Sequence, residues 1–206
     1  MPRRVVVLVV ASLTVLAGCS VGKNAVVQGS VYTFVAPGGK TQIFYDPPSA
    51  RGNAPDITGE SLTAPGKQIG LSNDPGQVVV VNIWGSWCGP CRAESPELEQ
   101  AYHQTEASGV RFLGIDVRDT RSAAQDFVRA HGVTYPSIFD PPGRSLLVLQ
   151  GYPRNVVPST IVLDREHRVA AVFLQAIVAG QLLPVLQRLA AENTTTSHPT
   201  AGRAAP

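Results

Sequence analysis

Two cysteines, Cys88 and Cys91, stand between a continuous β-branched run and a polar helical stretch, and that placement constrains the fold more than anything else in the chain. The run before them, Val78 to Trp84, has the pattern of a strand buried on both faces of a mostly parallel sheet. After Cys91 the text becomes Arg92-Ala93-Glu94 and then Glu97 to Tyr102, which reads as a helix. Cys88 therefore falls at a helix N-terminus, where unpaired amides and the positive end of the helix dipole favour a thiolate over a thiol. This makes Cys88 the expected nucleophile and Cys91, one turn on, the resolving thiol. Pro90 suits a helix start, because it fixes φ and gives up an N–H that is unpaired there anyway. The pair is suited to thiol–disulfide exchange.

Two other uses of a Cys-x-x-Cys run are a structural disulfide and half of a zinc site. Structural zinc needs four protein ligands, and there is no second Cys-x-x-Cys and no histidine pair at ligand spacing. His103, His131, His167 and His198 are scattered. No metal and no cofactor are expected. The chain holds 3 cysteines in all, and the third, Cys19, follows a hydrophobic leader.

That leader consists of a basic start, Met1-Pro2-Arg3-Arg4, and an apolar run from Val5 to Leu16, too short to remain as a spanning helix. It reads as a signal peptide over residues 1–18. Leu16-Ala17-Gly18-Cys19 resembles the bacterial lipobox, which implies cleavage before Cys19, lipidation of its thiol and anchoring in membrane lipid. Ordinary secretory cleavage or an uncleaved anchor helix are the alternatives, and all three place the protein outside the cytoplasm. The 17 basic residues stand against 15 acidic ones, and losing Arg3 and Arg4 with the leader makes the remainder formally neutral. With no basic run, nucleic acid is not an expected partner.

Residues 19–53 read as a lipidated N-terminus, a tether and a hairpin formed by Val31–Val35 and Thr41–Tyr45. A second, weaker hairpin is expected between Ile57 and Ile69. Residues 54–192 form the main domain, and the Thr/Ser/Ala-rich tail 193–206 is expected to be disordered. Past the cysteines, Val110–Val117 reads as a strand and Ser122–His131 as a helix closed by Gly132. Ile161–Asp164 and Val169–Leu174 read as two strands, and about Gln181 to Glu192 as a last helix, starting late or bending at Pro184. The order is βαβα followed by ββα.

That order, with Trp-Cys-Gly-Pro-Cys at a strand-to-helix turn, resembles the thioredoxin fold: an α/β fold with a central mixed β-sheet flanked by helices, here with extra N-terminal hairpins. The export signal and the text from Ala54-Pro55-Asp56 onward resemble more particularly the TlpA/ResA/CcmG group of membrane-tethered bacterial thiol–disulfide oxidoreductases. The resemblance implies that Val157-Pro158-Ser159-Thr160 is the cis-proline segment beside the disulfide, where the backbone before Pro158 pairs with a substrate strand. It implies a helix-kinking role for Pro96. Thioredoxin itself carries a buried aspartate where this chain has Asn82, and an amide cannot take a proton. Glu94 resembles the glutamate that TlpA/ResA-type proteins place near the disulfide; a solvated first-turn glutamate is the plainer reading. Trp87 is expected to be a surface platform for substrate and Trp84 a core residue.

The resemblance further implies a reductase on the outer face of the cell membrane. Its partners are exported proteins with disulfides, apocytochrome c among them, and a membrane thiol carrier of the CcdA/DsbD type that restores the dithiol. A disulfide oxidase or isomerase, a thiol peroxidase and a Sco-type copper chaperone are the alternative functions. The Sco type uses a Cys-x-x-x-Cys spacing that this chain lacks.

Overall fold

The computed structural model of the chain describes residues 31–35 and 38–192. The leader, Cys19 and the tail lie outside them. A mixed sheet organises the molecule, and its central strand is the Val-rich run: β4 (Val78–Trp84), every residue of which is buried. The remaining strands of this sheet are β1 (Gln42–Phe44), β5 (Val110–Asp116), β6 (Ser137–Phe139), β7 (Ser159–Leu163) and β8 (Val169–Phe173). Their spatial order is β1-β8-β7-β4-β5-β6. β4, β5 and β6 run parallel, while β7 is antiparallel to β4, and β8 to both β7 and β1. β2 (Thr58–Glu60) and β3 (Gln68–Gly70) form a separate hairpin.

Alternation along β4 divides the core. Val79, Val81 and Ile83 join Leu113, Ile115, Ile161 and Val172 on one face, covered by Tyr32, Phe34, Leu71 and Tyr152. Val78 and Val80 face α1 (Gly89–Thr105) through Leu98 and Ala101, and α3 (Ala179–Ala191) through Leu182 and Leu186. Trp84, on the same face by the period of two, packs under Ala124 and Phe127 of α2 (Arg121–His131). The expected thioredoxin-like architecture is present, with N-terminal strands added to it. α2 begins at the N-cap Thr120, whose hydroxyl accepts from the Ala123 N–H, and ends at Gly132 with φ 63°.

Three expectations need correction. Val31–Val35 and Thr41–Tyr45 do not pair as a hairpin. Tyr32 and Phe34 are buried in the core, their amides donate to the carbonyls of Asn53 and Gln150, and β1 adds to the open edge of β8. Burying two aromatic rings and completing a sheet edge outweigh a local turn. β6 is a strand that the sequence reading lacked, since three residues among Pro136, Pro141 and Pro142 carry no period. α3 starts at Ala179, earlier than expected, and continues through Pro184, held by the burial of Leu182, Val185, Leu186 and Leu189.

Candidate active site

Strand β4 delivers the chain to the site. Cys88 is the N-cap residue of α1, Gly89 and Pro90 are its first helical residues, and the Cys91 N–H donates to Cys88 Sγ at 3.2 Å. Cys88 and Cys91 are joined as a disulfide, with Cα atoms 5.3 Å apart. The pair is less open than a nucleophile's position suggests: Cys88 is 3 % exposed and Cys91 2 %. Leu62, Trp84, Ala124 and Phe127 enclose it, and Val157 packs against this cluster. The Val157–Pro158 peptide bond is cis, and Pro158 is buried. Tyr152 holds that segment by donating from its hydroxyl to Ser159 Oγ at 2.7 Å, while Ser159 Oγ donates to the Val156 carbonyl. The structure thus brings together Cys88, Cys91, Val157 and Pro158 from chain positions far apart.

Trp87 is 45 % exposed and Trp84 4 %, the division expected from the sequence. The Trp87 indole N–H donates to the Val117 carbonyl at 2.9 Å, and the Arg118 guanidinium lies 4.4 Å from the ring centroid. Gly85 makes room for this fold-back, since a β-carbon there would sit 2.4 Å from Trp87 Nε1.

Glu94 is the residue that the structure redefines most. It is 2 % exposed, not solvated. Its carboxylate accepts from Asn82 Nδ2 at 2.7 Å and from the Ile177 N–H at 3.0 Å. Burial pushes its pKa up from 4.5 to about 7, against the lowering effect of these two donors. Asn82, which also donates to Thr160 Oγ1, orients the carboxylate from inside the sheet. The departure at position 82 and the glutamate at 94 are thus two ends of one hydrogen bond. Pro96 lies inside α1, which continues past it to Thr105.

The sequence reading missed Asp116. It is fully buried at the end of β5, directly across the ladder from Trp84, and neither carboxyl oxygen has a hydrogen-bond partner among the described residues. Burial, with Asp119 and Asp140 nearby, raises its pKa from 3.8 to about 8, so it is mostly neutral at pH 7. Neutrality is what allows a carboxyl group to stay there unpaired. An acidic residue after the apolar run Phe112–Ile115 was its sequence signal. Among the described residues no three His, Cys, Asp or Glu side chains converge to hold a metal ion, and no helix is long and apolar enough to cross a membrane.

A strand-to-helix disulfide facing a cis-proline on a mixed sheet defines the class: a thioredoxin-like thiol–disulfide oxidoreductase. The AhpC/TSA family matches residues 51–172, and the chain belongs to that family. Among solved structures it is similar to a secreted thiol-disulfide isomerase from Corynebacterium glutamicum, at 46% identity over 80% of this chain and 100% of that one, with a TM-score of 0.77. A DsbF homologue from Corynebacterium diphtheriae is 44% identical over 78% of this chain and 100% of that one, with a TM-score of 0.73. Thiol-disulfide oxidoreductase ResA of Bacillus subtilis is 32% identical over 107 residues, 52% of this chain. That match spans 58% of the ResA protein's own length.

Proposed function

We propose that this chain is an exported, lipid-anchored reductase of disulfides in proteins outside the cytoplasm, with Cys88 as nucleophile and Cys91 as resolving thiol. In the reduced form, the Cys88 thiolate attacks one sulfur of a substrate disulfide. A Cys88–substrate bond forms, the substrate disulfide breaks, and its second sulfur leaves as a thiolate that takes up a proton. Cys91 then loses its proton and attacks Cys88 Sγ, which expels the first substrate sulfur. Two electrons pass to the substrate and the pair returns to the disulfide. Glu94 is the nearby group suited to receive the Cys91 proton, relayed through solvent where contact is not direct. Trp87, Val157 and Pro158 form the rim against which the substrate strand lies.

The observation that carries this reading is the disulfide at the α1 N-cap beside Pro158, with a carboxylate of near-neutral pKa on the same helix. Recharging outside the cytoplasm requires a dithiol donor fed through the membrane, a carrier of the CcdA/DsbD type, and Cys19 supplies the lipid anchor. Apocytochrome c, whose haem-binding thiols must be reduced, is the proposed client. Normal c-type cytochrome levels in a Cys88→Ala strain would reject that client.

A second reading, a disulfide isomerase, is favoured by the 46% identity to the secreted thiol-disulfide isomerase of C. glutamicum. The equilibrium potential of the Cys88/Cys91 pair against glutathione separates reducing from oxidising chemistry. A value near about −270 mV supports reduction, and one near about −120 mV overturns it. Rearrangement of a scrambled substrate without net reduction marks the isomerase.

A further inference from the structure

A cavity of about 430 Å³ is lined by Val117, Arg118, Gly143, Tyr152, Arg154 and Asn155, among others. One wall is tied to Trp87 through the Val117 carbonyl and the stacked Arg118, and the other leads along the chain into Val156, Val157 and Pro158. The cavity therefore lies between the loop that holds Trp87 and the segment that leads to the cis-proline.

Its lining carries the guanidinium groups of Arg118 and Arg154 and no carboxylate. Arg118, Arg154, Arg144, which follows Gly143 in the chain, and Arg92, whose guanidinium bonds the Ser86 carbonyl, make no ion pair among the described residues. The neighbouring acids keep their charge but are turned to local amide and hydroxyl donors. Asp119 accepts from the Ser86 and Thr120 amides, and Asp140 from the Arg144 and Ser145 amides and the Ser145 hydroxyl. Arg118 is held at φ 56°, a backbone conformation uncommon for a residue with a side chain, and its N–H is tied to the Pro141 carbonyl. The loop thus presents a guanidinium over the indole at the mouth of the site.

We propose that this cavity receives an acidic segment of the client polypeptide, seating a carboxylate between Arg118 and Arg154 while the client cystine meets Cys88. The inference rests on the disulfide-exchange reading and names its substrate class: proteins whose reducible disulfide is flanked by Asp or Glu. An arginine fork suits a carboxylate, and an opposite charge raises the rate of encounter.

The test compares the reduced protein on three substrates: neutral 2-hydroxyethyl disulfide, a cyclic disulfide peptide flanked by Glu, and the same peptide flanked by Lys. The Glu peptide is expected to show about tenfold higher kcat/KM than the Lys peptide at low salt, with the gap closing as salt is added. The double substitution Arg118→Glu with Arg154→Glu inverts the order, a result that poor folding cannot produce. Equal rates for the two peptides, or a preference that survives charge reversal, overturn the inference. Turnover of the neutral disulfide without a charge preference overturns it alone; no turnover of that compound overturns the exchange reading and this inference with it.

Discussion

At the scale of the residue, Glu94 and Asp116 carry the pH dependence. Glu94 has a pKa of about 7, so its carboxylate, the form able to accept a proton, accumulates as pH rises through neutrality. Reduction of a neutral disulfide is expected to show an ionisation near that pH. Glu94→Gln should remove it and lower kcat by about 10²-fold; a pH–rate profile identical to the wild type takes Glu94 out of the reaction. Both carboxyl groups have raised pKa values in the fold, 4.5 to about 7 and 3.8 to about 8. Their neutral forms stabilise the folded state fully below about pH 4, and that contribution is lost as pH rises through 7 and 8. Unfolding free energy should therefore fall between about pH 5 and about pH 8, and Asp116→Asn should roughly halve the slope. Urea titrations across that range decide the point, and an undiminished slope excludes Asp116 as a source.

At the scale of the element, the site depends on how closely β4, β5 and β6 approach. Gly114 of β5 pairs with Asn82 on one side and Ser137 on the other. A β-carbon there would meet Ser137 Oγ at 2.1 Å and Trp84 Nε1 at 2.8 Å. Gly114→Ala should cost about 1–3 kcal/mol and displace the Trp84 indole that packs beside the disulfide. The lower denaturation midpoint and an altered near-UV circular dichroism of tryptophan are the measurements; a native spectrum at unchanged stability means that the neighbours yield freely. β4, β5 and β8 were legible as apolar runs buried almost throughout, and α2 by its helical period. β6 and the start of α3 were not. Three residues show no period, and Pro184 argues locally against a helix that apolar packing sustains.

At the scale of the molecule, Arg51 ties the segment after β1 and the end of α3 to the sheet. Its buried guanidinium contacts Asp46, Asp164 and Glu192, joining the segment after β1, the turn after β7 and the end of α3. The packing therefore extends well before residue 54, where the sequence placed the start of the main domain. Arg51→Ala should cost about 3 kcal/mol, because it leaves the buried Asp164 carboxylate with Arg168 as its one remaining ion-pair partner among the described residues. The Cys88/Cys91 potential should not change, since Asp164 follows the end of β7 while Ser159, at its other end, lies next to Pro158. A shifted potential would show that the two ends of the sheet are coupled.

Read alone, the chain shows the paired thiols and most of the elements around them. Two thiols one helical turn apart, a strand before them and a helix after them are local relations, written in residues that are neighbours in the chain. It took the assembled fold to bury Glu94 against Asn82 and Ile177, to pack Tyr32 and Phe34 into the core instead of a hairpin, and to bring Arg118 and Arg154 to one cavity. Those outcomes follow from the order in which strands assemble and from which polar groups lose water when they do, and neither is encoded in a local period.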